Sequence, residues 1–330
     1  MIKAAVVGAS GYIGGELVRL LAMHPEVEIT AITSRQYAGK KVHKVHPNLR
    51  GLDLRFTNDY NFDADVIFLA VPHGTSMKII EEFLGSAKII DMSADFRIKK
   101  ELYEKYYGPH EKPELIDRFT YGLPELHRKE IKKAELVANP GCNATATILG
   151  LYPFKDLTQE AIVDLKVSSS AGGRRENIAS IHPERSNVVR VYKPYHHRHE
   201  AEVLQETRVK AMFTVHSVDL VRGLLATIYF RYEGNERELL RKLLMYKDEP
   251  FVRIVTDKGG LQRYPDPKYV IGSNFIDIGF AYDSENSRVM VFSAIDNLIK
   301  GGAGQAVQNM NIMFGLKETT GLEYYPVYPV

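Results

Sequence analysis

The sequence lacks most of the features that point to disulfides, cysteine-bound metals or membranes. Cys142 is the single cysteine among 330 residues, so an internal disulfide and zinc sites built from paired cysteines are both excluded. The longest unbroken apolar run covers residues 66–71, far short of the ~20 residues of a membrane-spanning helix. The first apolar stretch ends at Gly8, too early for a secretory signal. We therefore expect a soluble, cytoplasmic protein whose lone thiol stays reduced.

An excess of one charge is also missing. The 43 basic and 41 acidic residues leave a formal net charge of +2, which argues against broad electrostatic binding of nucleic acid. Hydrophobic residues make up 45% and charged residues 25%, as in ordinary globular proteins. Because hydrophobic cores stop growing near ~250–300 residues, the length predicts two domains.

Strand and helix patterns alternate in the first part of the chain. Strand patterns occupy residues 2–7, 27–33, 66–71, 88–92 and 135–138, with helical spacing at 16–23 and 75–84. This alternation predicts an α/β fold with a Rossmann-like, doubly wound parallel sheet. The charged segment 99–133 is expected to be irregular surface structure.

The pattern changes after about Gly150. Further strand patterns cover residues 161–168, 211–218, 225–232, 275–281 and 288–295, with one short helix pattern at 237–246. They predict a second, α+β domain with a mainly antiparallel sheet. Residues 302–314 again show helical spacing.

A glycine turn joins the first strand to the first helix. Gly8, Gly11 and Gly14 form the pattern G-x-x-G-x-x-G. Glycines at such a junction let the backbone approach a pyrophosphate, which then lies on N–H groups of the helix N-terminus. The turn predicts nucleotide binding; a purely structural turn is the alternative.

The end of the second strand bears on the choice of nucleotide. Residues 33–36 read TSRQ, without the acidic residue that would accept the ribose 2′-hydroxyl of NAD. Arg35 suits a 2′-phosphate instead, so the sequence favours NADP. The alternative is that Arg35 is a solvated loop residue.

Cys142 lies where a strand pattern passes into a helix pattern. A thiol at a helix N-terminus is stabilised as the thiolate, so Cys142 is predicted to be a nucleophile rather than an inert buried cysteine. A nucleophilic cysteine usually works with a base. The segment YHHRHEAEV offers His196, His197 and His199 as candidates, among which the residues alone do not decide.

Seven segments carry a family resemblance along the whole chain: GASGYIGGEL at 8–17, LAVPHG at 69–74, DMSADFR at 91–97, YGLPEL at 121–126, NPGC at 139–142, HRHEAE at 197–202 and DNLIKGGAGQAVQNMN at 296–311. The chain resembles the N-acetyl-γ-glutamyl-phosphate reductase family, a branch of the acyl-phosphate reductases related to aspartate-semialdehyde dehydrogenase.

The resemblance implies roles for individual residues. Cys142 matches the nucleophile and His199 the general acid/base, while Asn297 matches a residue beside the nicotinamide. Cofactor contacts are implied for Gly8, Ser10, Gly11, Tyr12, Ile13, Gly14, Ser34, Arg35, Gln36 and Pro72. Substrate contacts are expected at Arg97, Asn139, Arg174 and Arg190. The expected domains are 1–148 with 299–330 for NADP, and 149–298 for catalysis and dimerisation, in a homodimer or homotetramer.

The same resemblance implies a reaction. The Cys142 thiolate attacks an acyl phosphate and expels phosphate, NADPH reduces the resulting thioester, and an aldehyde leaves. His199 handles the protons, a role that suits a group titrating near neutral pH.

A basic segment bears on the substrate. Residues 174–199 contain six basic and two acidic residues, a local charge of +4. Its pattern resembles the lysine-pathway branch of the family, whose members reduce the phosphate of α-aminoadipate, and in some archaea of glutamate, on a small acidic carrier protein of the LysW type. Charge complementarity would serve such recognition. The alternatives are N-acetyl-γ-glutamyl phosphate as substrate, or arginines that bind phosphates or line a subunit interface.

Two other classes share part of the pattern. A short-chain dehydrogenase would need Tyr-x-x-x-Lys on one helix, but the matches at 37–41 and 264–268 lie in a glycine loop and across two prolines. A non-catalytic NADP-binding protein would leave the surroundings of Cys142 and His199 unexplained.

Overall fold

The computed structural model describes residues 1–174 and 178–330, which fall into two units. Unit 1 comprises Met1–Pro140 and Gly302–Glu323, and unit 2 comprises Gly141–Gly301 and Tyr324–Val330. The units differ from the expected domains in three stretches, 141–148, 299–301 and 324–330, which all lie in unit 2. The helix that begins at Cys142 belongs to unit 2, because it packs on the sheet of that unit, and the C-terminal residues from Tyr324 onward join it there.

The strands and helices have the following bounds. The strands are β1 (Ile2–Val7), β2 (Val27–Thr33), β3 (Phe56–Thr57), β4 (Val66–Leu69), β5 (Lys88–Asp91), β6 (Thr120–Tyr121), β7 (Leu136–Ala138), β8 (Glu160–Val167), β9 (Val189–Val191), β10 (Lys210–Val218), β11 (Leu224–Arg231), β12 (Val252–Ile254), β13 (Ile276–Asp283) and β14 (Arg288–Ile295). The helices are α1 (Tyr12–Ala22), α2 (Ser76–Ile79), α3 (Lys100–Tyr107), α4 (Pro124–Ile131), α5 (Cys142–Leu151), α6 (His182–Arg185), α7 (Glu200–Thr207), α8 (Glu236–Leu243) and α9 (Gly304–Met313).

Unit 1 is built on a parallel sheet with the strand order β3-β2-β1-β4-β5-β7-β6. Every residue of β4 is buried, as expected for a central strand covered on both faces. Helix α9 packs against α1, α4 and β5 within this unit. The predicted Rossmann-like sheet is therefore confirmed.

The expectation of irregular structure at residues 99–133 was wrong. The segment forms α3, a 3₁₀ helix at Pro113–Arg118, β6 and α4. Pro113 and Pro124 are first residues of helices, where the missing N–H of proline costs nothing. Prolines are typical of loops, and the many charged residues of the segment obscure the pattern of its few buried positions, so the sequence indicates irregular structure.

Unit 2 is built on a mixed sheet with the order β12-β13-β14-β11-β8-β10-β9. Most neighbouring pairs are antiparallel, as predicted, but β8 with β10 and β12 with β13 are parallel. Helix α5 lies on β11 and β14. Its Gly150 permits close packing, because a Cβ there would lie 2.9 Å from Cδ1 of Ile228.

Candidate active site

The glycine turn of unit 1 lies at the topological switch point of the parallel sheet. β1 is flanked by β2 and β4, so the connections leave it in opposite directions, and open α/β sheets bind ligands at this place. Gly8 has φ +83°, and a Cβ there would lie 2.5 Å from the carbonyl oxygen of Ala70. A Cβ at Gly14 would lie 2.6 Å from the carbonyl oxygen of Gly8. The packing of the turn itself requires both glycines.

Gly11 is different. A Cβ on Gly11 would meet only the carbonyl oxygen of Gly8, at 3.9 Å, so the protein leaves open space above this residue. Tyr12 and Ile13 follow at the start of α1, with Tyr12 42% exposed. An open cradle at a helix N-terminus fits the pyrophosphate of a dinucleotide.

The end of β2 is fastened to this turn. The backbone N–H of Ala9 donates to the carbonyl oxygen of Thr33, and the Ser34 hydroxyl donates to Oγ of Ser10 at 3.0 Å. Arg35 and Gln36 follow and are exposed. The hydroxyl pair and a solvent-facing guanidinium fit a 2′-phosphate, and residues 33–36 offer no carboxylate to repel it.

His46 supports the turn and was missed by sequence reasoning. Its Nε2 donates to the carbonyl oxygen of Ala9 at 2.9 Å. Its ring lies against Gly15, where a Cβ would approach Cε1 to 2.3 Å. The ring thus braces the turn from the protein side, and no local sequence signal marks a contact across 37 residues.

Cys142 is the first residue of α5 in unit 2 and is half-buried, with Gly141 as the N-cap. Its Sγ lies 3.7 Å from Oδ1 of Asn143. Gly301 passes close to it, because a Cβ on Gly301 would lie 2.5 Å from Cβ of Cys142. The predicted position at a helix N-terminus is confirmed, and such a position favours the thiolate form of a cysteine.

Tyr192 shares the surroundings of the thiol. Desolvation raises the pKa of the Tyr192 hydroxyl to about 12, and the charge of Cys142 acts in the same direction. The guanidinium groups of Arg185 and Arg198 act in the opposite direction. The Tyr192 hydroxyl is therefore close enough to Cys142, Arg185 and Arg198 to feel the charge of each.

The structure distinguishes the three histidines. His199 is the N-cap residue of α7, and its Nε2 lies 3.8 Å from Oε1 of the buried Glu202. The other oxygen of Glu202, Oε2, accepts a hydrogen bond from the N–H of Gly141 at 3.1 Å. One carboxylate therefore contacts both the imidazole and the residue before the nucleophile.

His197 and His196 have other surroundings. His197 is buried against the ring of Phe213, and its Nδ1 accepts a hydrogen bond from the N–H of His199. Desolvation lowers the pKa of His197 to about 4, and the charges of Arg198 and Lys193 add to this effect. His196 is exposed, with φ +50°. Among the three, His199 is the one that contacts the carboxylate of Glu202.

Asn297 lies in a buried polar cluster after β14. Its Oδ1 accepts hydrogen bonds from the N–H of Gly223 at 2.8 Å and from the Ser168 hydroxyl at 3.0 Å. Its Nδ2 donates to Oγ of Ser170 at 2.9 Å. The amide is thereby held in one orientation, as a residue beside a nicotinamide would require.

The expected substrate residues lie in different surroundings. Arg97 is buried and donates to the carbonyl oxygens of Asn139 and Met92, both at 2.7 Å. Asn139 is buried as well, with its amide bonded to Gly302 and Asn309. A direct substrate contact by Asn139 would require those bonds to break. For both residues, a contact with the substrate stays a prediction.

The arginines of the basic segment are more accessible. Arg174 and Arg190 are exposed, and Arg190 lies 3.6 Å from the carboxylate of Glu184. Arg185 instead donates to the carbonyl oxygens of Val167 and Val218. Arg175 and Glu176 of this segment lie outside the described residues.

Two features are absent from residues 1–174 and 178–330. No helix in them is long and apolar enough to cross a membrane. The same residues contain no group of three or more His, Cys, Asp or Glu side chains that could hold a metal ion.

A nucleotide turn in one unit and a thiol at a helix N-terminus in the other are features expected of an oxidoreductase with a nicotinamide cofactor. Residues 3–134 match the NAD binding domain of semialdehyde dehydrogenase, and residues 142–297 match its dimerisation domain. A Pyrococcus horikoshii protein, provisionally named a LysW-L-2-aminoadipate/LysW-L-glutamate phosphate reductase, is 84% identical over 100% of both chains. A Saccharolobus solfataricus protein with that activity in its name is 48% identical over 99% of each chain.

The chain belongs to the semialdehyde dehydrogenase family, and it is an NADP-dependent reductase that acts on an acyl phosphate. Solved structures share the fold. Aspartate semialdehyde dehydrogenase II of Vibrio cholerae, complexed with ASA, has a TM-score of 0.73 at 15% identity, covering 96% of this chain and 98% of that one. The Candida albicans enzyme with NADP has a TM-score of 0.70 at 15% identity, covering 95% and 98%. The family resemblance of the seven sequence segments is confirmed.

Proposed function

We propose that this enzyme uses NADPH to reduce the 6-phosphate of L-2-aminoadipate, the phosphate of L-glutamate or both, each carried on a LysW-type carrier protein, to the semialdehyde. The names of the relatives state this pair of substrates. The observation that carries the chemistry is the position of Cys142 at the start of α5, with Glu202 contacting both Gly141 and His199. The pathways served are lysine and arginine biosynthesis, and the reduced thiol fits the cytoplasm.

Cys142 begins the reaction as a thiolate. Its sulfur bonds to the acyl carbon, the bond from that carbon to the phosphate oxygen breaks, and inorganic phosphate leaves a thioester on Cys142. When bound, NADPH supplies the hydride that reduces the thioester carbon. The first N–H groups of α5 stabilise the oxyanion that forms beside them.

His199 moves the protons of this sequence. The reduced intermediate breaks its carbon–sulfur bond and releases the aldehyde, while the thiolate of Cys142 forms again. His199 supplies the one proton that the net reaction consumes, which the departing phosphate takes up, and Glu202 holds the imidazole in place. Asn297, Pro72 and the residues of the glycine turn bind and orient the cofactor.

Replacing the thiol tests the mechanism. Cys142→Ala is expected to abolish reduction of the acyl phosphate while NADPH still binds, because the cofactor turn lies in unit 1. NADPH binding is followed by fluorescence and turnover by NADPH absorbance. Near-normal turnover by Cys142→Ala would overturn the thioester mechanism. An unreactive parent enzyme that binds NADPH would favour a non-catalytic role.

The carrier is tested by comparing substrates. We expect kcat/KM to be higher for carrier-linked aminoadipate phosphate and glutamyl phosphate than for N-acetyl-γ-glutamyl phosphate. One methylene is worth only about 1–3 kcal/mol of discrimination, so both chain lengths are expected to react. The KM for the carrier-linked substrates is expected to rise with salt, because Arg174 and Arg190 are exposed. Preference for the N-acetyl compound would contradict the proposal.

A row of exposed apolar side chains supports a homodimer or homotetramer. Ile162 on β8 pairs with Met212 on β10 and with Tyr229 on β11, and the three are 49%, 39% and 36% exposed. Burial of this row against a second copy fits the dimerisation domain that the segment matches. Light scattering tests this assignment: Ile162→Glu is expected to dissociate the oligomer, whereas Met23→Glu in unit 1 is not. An unchanged mass for Ile162→Glu would exclude this face.

A further inference from the structure

Two buried carboxylates, one at the last residue of β5 and one four residues further on, take no part in the mechanism above. Asp91 and Asp95 are both 0% exposed. They lie in the DMSADFR segment at residues 91–97, and their oxygens accept hydrogen bonds from neutral donors. Burying two carboxylates side by side costs free energy, which hydrogen bonds to both groups must offset. We therefore ask which part of the protein these hydrogen bonds position.

Asp95 bonds to the loop that follows β4. Its Oδ1 accepts a hydrogen bond from the N–H of Gly74 at 2.7 Å, and its Oδ2 accepts one from the N–H of Met77 at 3.2 Å. The Tyr103 hydroxyl also donates to Oδ1, at 3.2 Å. Both oxygens of one carboxylate thus bond to backbone groups of the segment 74–77.

A third bond joins the same two segments. The N–H of Ala94 donates to Nδ1 of His73 at 2.9 Å. The neighbouring Pro72 is exposed, so the bonded side of the loop faces Asp95 while Pro72 faces outward. Gly74, with φ +77°, gives the chain the turn that aims its N–H at Asp95.

Asp91 completes the network. Its Oδ1 accepts hydrogen bonds from the Ser76 hydroxyl at 2.5 Å and from the N–H of Ser93, and its Oδ2 accepts one from the Ser93 hydroxyl. The Ser93 hydroxyl oxygen in turn accepts the N–H of Asp95 at 3.0 Å. Burial, together with the charge of Asp95, raises the pKa of Asp91 to about 6. The two carboxylates therefore act as one unit on the loop.

The loop is part of the edge where the cofactor turn lies. β4 is the neighbour of β1, and a Cβ on Gly8 would lie 2.5 Å from Ala70 and 3.0 Å from Cγ1 of Val71. A shift of the segment 70–74 would therefore change the space over the glycine turn. We infer that Asp95 is a positioning residue for NADPH, acting through the Pro72–Gly74 loop; this rests on the cofactor role proposed for Pro72.

Direct binding of NADPH tests this role without turnover. Asp95→Asn keeps the shape of the side chain but replaces one acceptor oxygen with an NH₂ donor. That donor then faces the backbone N–H of Gly74 or of Met77 and cannot bond to it. We expect the Kd for NADPH, measured by fluorescence on the full chain, to rise about tenfold. In steady state the KM for NADPH is expected to rise similarly, whereas the KM for the acyl phosphate and kcat at saturating NADPH stay close to the parent values.

Tyr103→Phe is the matched control. It removes one donor from the same carboxylate and leaves the Gly74 and Met77 bonds intact, so NADPH affinity is expected to stay near that of the parent. A folded Asp95→Asn protein, judged by circular dichroism, with the Kd of the parent would overturn the inference. So would an equal loss of affinity in both variants.

A second variant covers the case in which Asp95→Asn does not fold. Gly74→Ala strains the loop at φ +77° where a Cβ has open space, and it leaves Asp95 untouched. A raised Kd for NADPH in Gly74→Ala supports the inference, and an unchanged Kd overturns it. Failure of the proposed substrate would appear separately, as a parent enzyme that binds NADPH but does not reduce the carrier-linked phosphate.

Discussion

The carboxylate of Glu202 lies 3.8 Å from Nε2 of His199, one helical turn away on α7, and it is only 1% exposed. Its second oxygen accepts the N–H of Gly141, directly before the nucleophile. A buried carboxylate with these two contacts fixes the imidazole relative to the start of α5. The pairing distinguishes His199 from its two neighbouring histidines and supports the acid/base role proposed for it.

Glu202→Gln is expected to lower kcat by roughly 10-fold to 100-fold, because a small misplacement of a catalytic group has that cost. The amide oxygen still accepts the Gly141 N–H, so thermal stability should change little. Steady-state kinetics and a thermal melt measure the two effects. Glu206→Gln, half-buried on the same helix, is the control and should keep the parent kcat. An unchanged kcat in Glu202→Gln would show that His199 needs no such partner.

The histidines are separable by their side-chain contacts. His199→Asn is expected to lose activity by about 10²–10⁴-fold, the usual contribution of a general acid/base. His197→Asn places an amide oxygen where Nδ1 accepts the His199 N–H, so it should keep activity within several-fold. His196→Asn, at an exposed position, should match the parent. If His197→Asn were as inactive as His199→Asn, the assignment of the base would be wrong.

His197 also predicts a pH dependence of stability. Its folded pKa of about 4 lies below the ordinary value of 6.5, so the unfolded state binds more protons between these values. The stabilisation is complete above about pH 6.5 and is lost as the pH falls toward 4. It amounts to about 3 kcal/mol for a shift of this size. Guanidinium unfolding of the parent and of His197→Asn at pH 4.5 and 7 measures the difference. The prediction would be contradicted if the free energy of unfolding changed by the same amount between pH 7 and pH 4.5 in both proteins.

Local signals explain what the sequence predicted well. The strands β1, β2 and β14 have the expected bounds, because a run of buried β-branched residues ending at a turn is visible within ten residues. The glycine turn and Cys142 at a helix start follow from neighbouring residues in the same way. These features needed no knowledge of distant contacts.

Contacts between distant segments explain what was not predicted. His46 braces the glycine turn from 37 residues away, and Glu202 reaches Gly141 across 61 residues. The short edge strand β9, with three exposed residues, has no alternation of buried and exposed positions to read. The parallel pairing of β8 with β10 depends on the connection between them, not on either strand. Such features become visible only when the chain is folded.

Gly301 predicts a steric test of the thiol site. Gly301→Ala adds a Cβ that would lie 2.5 Å from Cβ of Cys142, so the thiol must move. Alanine has a higher helix propensity than glycine, so a loss of activity cannot be caused by a weaker helix. We expect at least a tenfold fall in kcat, measured by NADPH oxidation. Gly259→Ala, where a Cβ meets open space, is the control. Full activity of Gly301→Ala would show that the close contact between residue 301 and Cys142 does not restrict the position of the thiol.

Gly11 and Gly14 predict opposite outcomes in the cofactor turn. At Gly11, φ is −75° and a Cβ has room, so Gly11→Ala should fold with nearly the parent melting temperature. The added methyl group occupies the space assigned to the pyrophosphate, so the Kd for NADPH should rise by at least tenfold. At Gly14, a Cβ lies 2.6 Å from the Gly8 carbonyl oxygen, so Gly14→Ala should destabilise the fold itself by about 1–3 kcal/mol. Melting curves with and without NADPH distinguish the two. A Gly11→Ala protein with unchanged NADPH affinity would place the pyrophosphate elsewhere, because the methyl group then fills space that the ligand does not use.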